Sequence, residues 1–156
     1  MPAVAFCFEA MPALPPPPEH HCLIHIDGSA LPNPGPMSLG AVLQMPDGSR
    51  HRLSQSLHRS GCNNEAELLA LMAALALAQK LQARSLTVRT DSRVLLEQLG
   101  PPLPRPARPI IRLALLFEQA RQRMQGFDEL VLQWLPRHRN AEADALARAA
   151  HAAARA

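Results

Sequence analysis

The chain has 156 residues, enough for one ordinary domain and too few for two independent cores. It is 47% hydrophobic and 19% charged, a globular rather than disordered composition, and no apolar run reaches the roughly 18 residues that a membrane span needs. The net charge of +3 is unevenly spread: residues 1–22 carry only Glu9 and Glu19, while residues 23–156 carry a net +5, a balance compatible with a polyanionic partner without demanding one.

Residues 1–22 contain Pro2, Pro12 and the run Pro15–Pro18, which favours extended chain without helix or strand bonding. The apolar stretch MPAVAFCFEAMPAL has no basic residue ahead of it, as a secretory signal requires. We read residues 1–22 as a disordered proline-rich leader; the other reading packs Phe6 and Phe8 onto the domain. From Leu23 the pattern changes. Leu23-Ile24-His25-Ile26 is a buried-strand run leading into Asp27-Gly28-Ser29, and Leu31 to Pro36 is a loop by its turn residues. Leu39–Gln44 and Arg50–Leu57 flank Pro46-Asp47-Gly48, a hairpin signal.

Beyond Gly61, Asn63 or Asn64 can cap a helix carrying Leu68, Leu71 and Leu75, which runs to about Arg84. Leu86–Thr90 reads as a fourth strand, and Asp91-Ser92 opens a short helix that stops at Gly100-Pro101. After a connector from Pro101 to Pro109 come a helix over about 110–125, a fifth strand over 130–135, and an alanine-rich helix capped by Asn140. The order βββαβααβα predicts an α/β domain over 23–156 with a mixed sheet and right-handed crossovers in its alternating half. Cys7, Cys22 and Cys62 are odd in number and form no CxxC pair, which argues against a disulfide scaffold or zinc cluster and for a reducing, cytoplasmic compartment.

Four acids stand at junctions rather than on plain surface: Asp27 at a strand, Glu67 beside an apolar helix face, Asp91 at a strand end and Asp144 early in the last helix. Each has a local reading, as an Asx turn, a first-turn acid, a cap or a dipole partner. If they converge, their mutual repulsion calls for a cation between them, and oxygen-only ligands suit Mg²⁺ or Mn²⁺. Two such ions roughly 3.5–4 Å apart can activate water and stabilise a leaving oxygen in phosphodiester hydrolysis.

Ile26-Asp27-Gly28-Ser29 with Asn33-Pro34-Gly35, Asn63-Asn64-Glu65-Ala66-Glu67-Leu68, Thr90-Asp91-Ser92, and the run Asn140 to Ala147 together resemble the four motifs of ribonuclease H type 1, in order, over about residues 23–150. The resemblance implies a five-stranded mixed sheet with helices on both faces. It also implies Asp27, Glu67 (rather than Glu65), Asp91 and Asp144 as ligands of two Mg²⁺ or Mn²⁺ ions, Asp27 bridging them. The implied reaction is hydrolysis of the RNA strand of an RNA–DNA hybrid by a monomer, leaving 5′-phosphate and 3′-hydroxyl ends. By the same resemblance Gly28, Ser29, Asn33, Asn63 and Arg93 are hybrid-binding positions, with Cys62 where a hydroxyl residue is common at a phosphate pocket. Against these stand a loop asparagine, a helix cap and an exposed arginine.

Two features depart from the common pattern. Residues 100–109 hold only Arg105 and Arg108 and no aromatic residue, which matches the family members that lack a basic protrusion. His138 sits nearer the last aspartate than the family's mobile histidine; it is either an acid or base in the reaction or an exposed loop residue. The alternative to an enzyme is a non-cleaving nucleic-acid-binding module on the same fold.

Overall fold

The computed structural model describes residues 13–105 and 107–155. Its elements are β1 (Cys22–Ala30), β2 (Gly35–Gln44), β3 (Arg50–Gly61), α1 (Asn63–Lys80), β4 (Ser85–Thr90), α2 (Arg93–Leu99), α3 (Ala114–Gln125), β5 (Glu129–Trp134) and α4 (Ala141–Arg155). They form one five-stranded sheet in the order β3-β2-β1-β4-β5. The hairpin-linked β1, β2 and β3 are antiparallel, whereas β4 lies parallel to both β1 and β5. The predicted mixed sheet and element order are therefore those observed.

Alternation along the strands sorts residues between two faces. One face carries Ile24, Ile26, Leu39, Leu43, Leu86 and Val88, which pack with Leu68, Leu71 and Leu75 of α1 and Phe117 of α3. Each such buried side chain contributes about 1.5–3 kcal/mol relative to exposure, so this layer is the main source of stability. On the other face α4 packs over β1, β2 and β3 through Ala143, Ala147 and Ala150. The contact is close because Gly40 of β2 has no side chain: a Cβ there would lie 2.3 Å from the Ala143 carbonyl oxygen.

Several local expectations are corrected. β1 continues through Asp27-Gly28-Ser29 to Ala30, because β2 pairs with it all the way to Ala30↔Met37. α1 ends at Lys80 rather than Arg84, where Gln82 turns the chain with a φ of 62°. Its cap is Cys62, whose sulfur accepts from the Glu65 N–H, and not Asn63 or Asn64. Residues 111–113 form a 3-10 turn ahead of α3. Residues 1–12 of the expected leader lie outside the described residues. Those from 13 to 21 are not free of the domain: Arg89 donates to the Pro15 carbonyl (2.8 Å) and His21 is hydrogen-bonded to Thr87 (2.9 Å).

Candidate active site

β1 outruns its parallel neighbour. β4 stops at Thr90, opposite Ile26, so the stretch after Ile26 has β2 on one side and an open edge on the other. Asp27 opens that stretch, and Asp91, the first residue beyond β4, stands next to the gap. α1 supplies Glu67 from one face of the sheet. It comes this close because Gly28 has no side chain: a Cβ on it would lie 2.2 Å from the Ala66 carbonyl oxygen. One carboxylate oxygen from each of Asp27, Glu67 and Asp91 lies within 4.8 Å of the others. From the opposite face α4 brings Asp144 close enough to Asp27 to share a hydrogen bond with it. Asp144 is also held by Arg148, one helical turn on, at 2.8 Å and faces Arg137 at 3.7 Å.

The cluster is short of positive charge. Burial, then the Asp91 charge, pushes the Asp27 carboxyl up to about 7 from an ordinary 3.8. Glu67, only 9% exposed, is raised well above its usual range by burial and then by Asp27 and Asp91. Burial also raises Asp91, opposed mainly by a hydrogen bond from Asn140. Glu67 Oε2 is buried with no hydrogen-bond partner, although the Gly28 N–H supports the same carboxylate. A set of oxygen donors with an orphaned buried oxygen and acids that resist ionising fits hard divalent cations such as Mg²⁺ or Mn²⁺.

The electrostatics make a prediction for the metal-free protein. An acid whose folded pKa exceeds its unfolded value holds its proton more tightly when folded. Folding then loses stability as pH rises above the unfolded value, here about 4.5 for Glu67, and nothing is lost below it, where both states are protonated. Glu67→Gln in chelator should therefore unfold at the same temperature as the parent near pH 4 and several degrees higher near pH 8. A gap that is constant between those pH values would refute this source of instability.

Asp27, Gly28, Ser29, Asn63, Glu67, Asp91 and Arg137 line a cleft of about 250 Å³. It shares Asp91 and Arg137 with a cavity of about 600 Å³ that Trp134, His138, Asp144 and Arg148 also line. Glu65 faces away and pairs with Arg59 (2.7 Å). The Ser29 hydroxyl is hydrogen-bonded to His151 on α4 (2.8 Å). Asn33 and Asn63 stay exposed but spend their carbonyl oxygens internally: Asn33 accepts from the Asn63 N–H (3.1 Å), and Asn63 from the Ala30 N–H (2.9 Å). They thus hold the loop after β1 against the start of α1. Arg93 lies over the Trp134 ring at 5.2 Å, and the Trp134 indole donates to the Asp91 carbonyl (3.1 Å). His138 is exposed on the turn over 137–139 and borders the larger cavity rather than the three-acid set.

One residue of the site departs from its sequence expectation. Asn140 is 1% exposed, and only its backbone begins α4, accepting from the Asp144 N–H at 3.1 Å. Its side-chain amide donates to the Ile26 carbonyl (2.7 Å) and to Asp91 (3.4 Å), fastening β1 to the end of β4. Nothing local announces this, since the cap signature fits equally well. Arg148 could have been flagged by its i,i+4 spacing from Asp144.

The reverse transcriptase-like family profile matches residues 25–150. The bifunctional protein Rv2228c of Mycobacterium tuberculosis is 35% identical over 130 residues, 80% of this chain and 34% of that protein. Ribonuclease HI of Halobacterium salinarum is 32% identical over 123 residues, 79% of this chain and 60% of that protein. The chain thus spans from about a third to 60% of the length of these relatives. Among solved structures, RNase H1 from Halobacterium salinarum NRC-1 superposes with a TM-score of 0.76 at 31% identity, covering 84% of this chain and 97% of that one. LC11-RNase H1, isolated from compost by a metagenomic approach, has been solved in complex with an RNA/DNA hybrid; it gives a TM-score of 0.71 at 28% identity over 86% and 99% of the two chains.

Proposed function

The chain belongs to the reverse transcriptase-like family, in its ribonuclease H type 1 branch, and from that premise we propose that it hydrolyses the RNA strand of RNA–DNA hybrids. The observation that carries the reading is the convergence of Asp27, Glu67 and Asp91 from three separate elements, with Asp144 beside Asp27. A module that only binds gains nothing from acids gathered where phosphates must approach. Residues 23–156 are the catalytic domain, acting as a monomer in the cytoplasm, with 1–22 as a leader. Cys22 and Cys62 are free thiols, in keeping with a reducing compartment. Among the described residues no helix is long and apolar enough to cross a membrane.

In this mechanism Asp27, Glu67, Asp91 and Asp144 would hold two Mg²⁺ or Mn²⁺ ions. Bound there, the ions would supply Lewis acidity, for activating a water toward the scissile phosphorus and for stabilising the leaving 3′-oxygen. The protein's own part is positioning. Asn140 holds Asp91 against β1, and the Gly28 N–H orients Glu67. Arg137, on the wall shared by the two cavities, is placed to meet a phosphate oxygen, and His138 at the rim can carry a proton to or from the departing end. The exposed Asn33 and Asn63 amides and the backbone of Gly28-Ser29 would follow the 2′-hydroxyls of a shallow groove, with Arg93 farther along.

The products are 5′-phosphate and 3′-hydroxyl ends. Strand-labelled RNA–DNA hybrid, double-stranded RNA and double-stranded DNA, each incubated with Mg²⁺ or Mn²⁺, test the proposal. RNA-strand cleavage confined to the hybrid is expected. Tight hybrid binding without turnover in either metal would overturn it and identify a non-cleaving binding module.

A further inference from the structure

We propose that His20, His21 and Glu129 form a second metal site, for a borderline divalent transition ion of the Zn²⁺ class, which fastens the chain entering β1 to the first residue of β5. Among the described residues this is the one other cluster whose ligand atoms all lie within 4.8 Å of one another. The Nε2 atoms of His20 and His21 face opposite oxygens of the Glu129 carboxylate, at 3.2 and 2.8 Å. Consecutive residues of an extended chain point to opposite sides, so two adjacent imidazoles on one carboxylate need a special backbone. The turn closed by the His21 N–H on the Pro18 carbonyl (2.9 Å) supplies it, stacking the rings edge to face.

The donors resemble a prepared site more than a chance surface pair. His21 is 5% exposed, and its Nδ1 is hydrogen-bonded to the hydroxyl of Thr87, itself buried. An imidazole that ligates a metal typically has its other nitrogen fixed in this way, which sets the ring and leaves the far nitrogen for the ion. With Nδ1 engaged by Thr87, Nε2 is the nitrogen left to face the Glu129 carboxylate 2.8 Å away, where either a proton or a metal ion can lie between the two. Two imidazole nitrogens and a carboxylate favour Zn²⁺ over Mg²⁺.

The position separates this site from the acidic one. Glu129 lies at the start of β5, about 16 Å along the strand from Trp134 at its other end, so the two sites do not compete for one ion. Cys22 follows His21 but packs into the core on the α1 face, away from the cluster. The function inferred is structural. The ion holds residues 13–21 along the part of the sheet, at β4 and β5, where they already meet Arg89 and Thr87.

The test uses the full chain carrying Asp27→Asn, so that the acidic site contributes least. Zn²⁺ uptake is measured against a chromophoric chelator, and Co²⁺ is used as a visible-absorption probe of the ligand geometry. One equivalent of Zn²⁺ and a low-symmetry Co²⁺ spectrum are expected. His20→Ala, at a position 62% exposed, and Glu129→Gln should each weaken uptake by at least roughly tenfold with the circular dichroism unchanged. His21→Ala also removes the buried bond to Thr87 and is the less clean variant. No uptake, or uptake in His20→Ala and Glu129→Gln equal to that of the parent, overturns the proposal and leaves a hydrogen-bonded histidine–carboxylate group.

Discussion

Asp27→Asn should cut cleavage of a labelled RNA–DNA hybrid on the order of 10³-fold in Mg²⁺, while raising the unfolding temperature of the metal-free protein. Both effects have one cause. Asp27 is the acid that touches the others, adjoining Glu67 and Asp144 and feeling the charge of Asp91. In the proposed mechanism its negative charge would help to hold the cations. Without them, the same charge is buried among like charges. Its pKa of about 7, against an ordinary 3.8, means that ionising it above neutral pH costs the folded state about 4 kcal/mol. Asparagine keeps the shape and removes the charge, so the variant should melt several degrees higher at pH 8 in chelator. An Asp27→Asn protein that cleaves hybrid as fast as the parent would remove the basis of the proposed function. One that is inactive but no more stable would show that the repulsion is already relieved, for instance by Arg137 and Arg148.

Gly40→Ala should destabilise the protein by about 3 kcal/mol and lower its melting temperature by roughly 10 °C. The added methyl group would sit 2.3 Å from the Ala143 carbonyl oxygen and 2.6 Å from the Ala147 nitrogen. These are helix backbone atoms and cannot swing aside as a side chain can, so α4 must move off the sheet as a body. Asp144 rides on that helix, one residue beyond Ala143, and activity should fall further than stability alone explains. Gly126→Ala is the matched control, because the added methyl group would meet a single atom, the Arg123 carbonyl oxygen, at 3.2 Å. That variant should stay within about 1 kcal/mol of the parent. Equal melting temperatures for the two variants would mean that α4 is not seated as closely as described.

Much of the fold was legible because it is written in short windows. The apolar run at 23–26, the Pro46-Asp47-Gly48 hairpin and the leucines at 68, 71 and 75 fix strand, turn and helix within a few residues of themselves. The four acids could be singled out for the same reason, each standing where an element begins, ends or meets its buried face. The choice of Glu67 over Glu65 rests on motif resemblance; two residues apart on a helix, they face different ways, one to Asp27 and the other to Arg59. Where a local signal fits two roles, sequence does not choose between them. Asn140 carries a cap's signature and begins α4 with its backbone, yet its side chain crosses to Ile26, 114 positions away.

The sequence alone thus determined the element order, the mixed character of the sheet and the short list of acids. Periodicity and turn chemistry are local properties, and a single chain suffices to display them. Tertiary structure decided what each polar group meets: Arg148 and Arg137 on Asp144, the Ser29 hydroxyl on His151, Cys62 rather than an asparagine at the head of α1, and residues 13–21 on the sheet instead of in solvent. Those partners lie on different elements or past a turn. Which of them come within about 3 Å depends on strand register and on how closely glycines such as Gly28 and Gly40 let the helices approach, and no window of sequence encodes that distance.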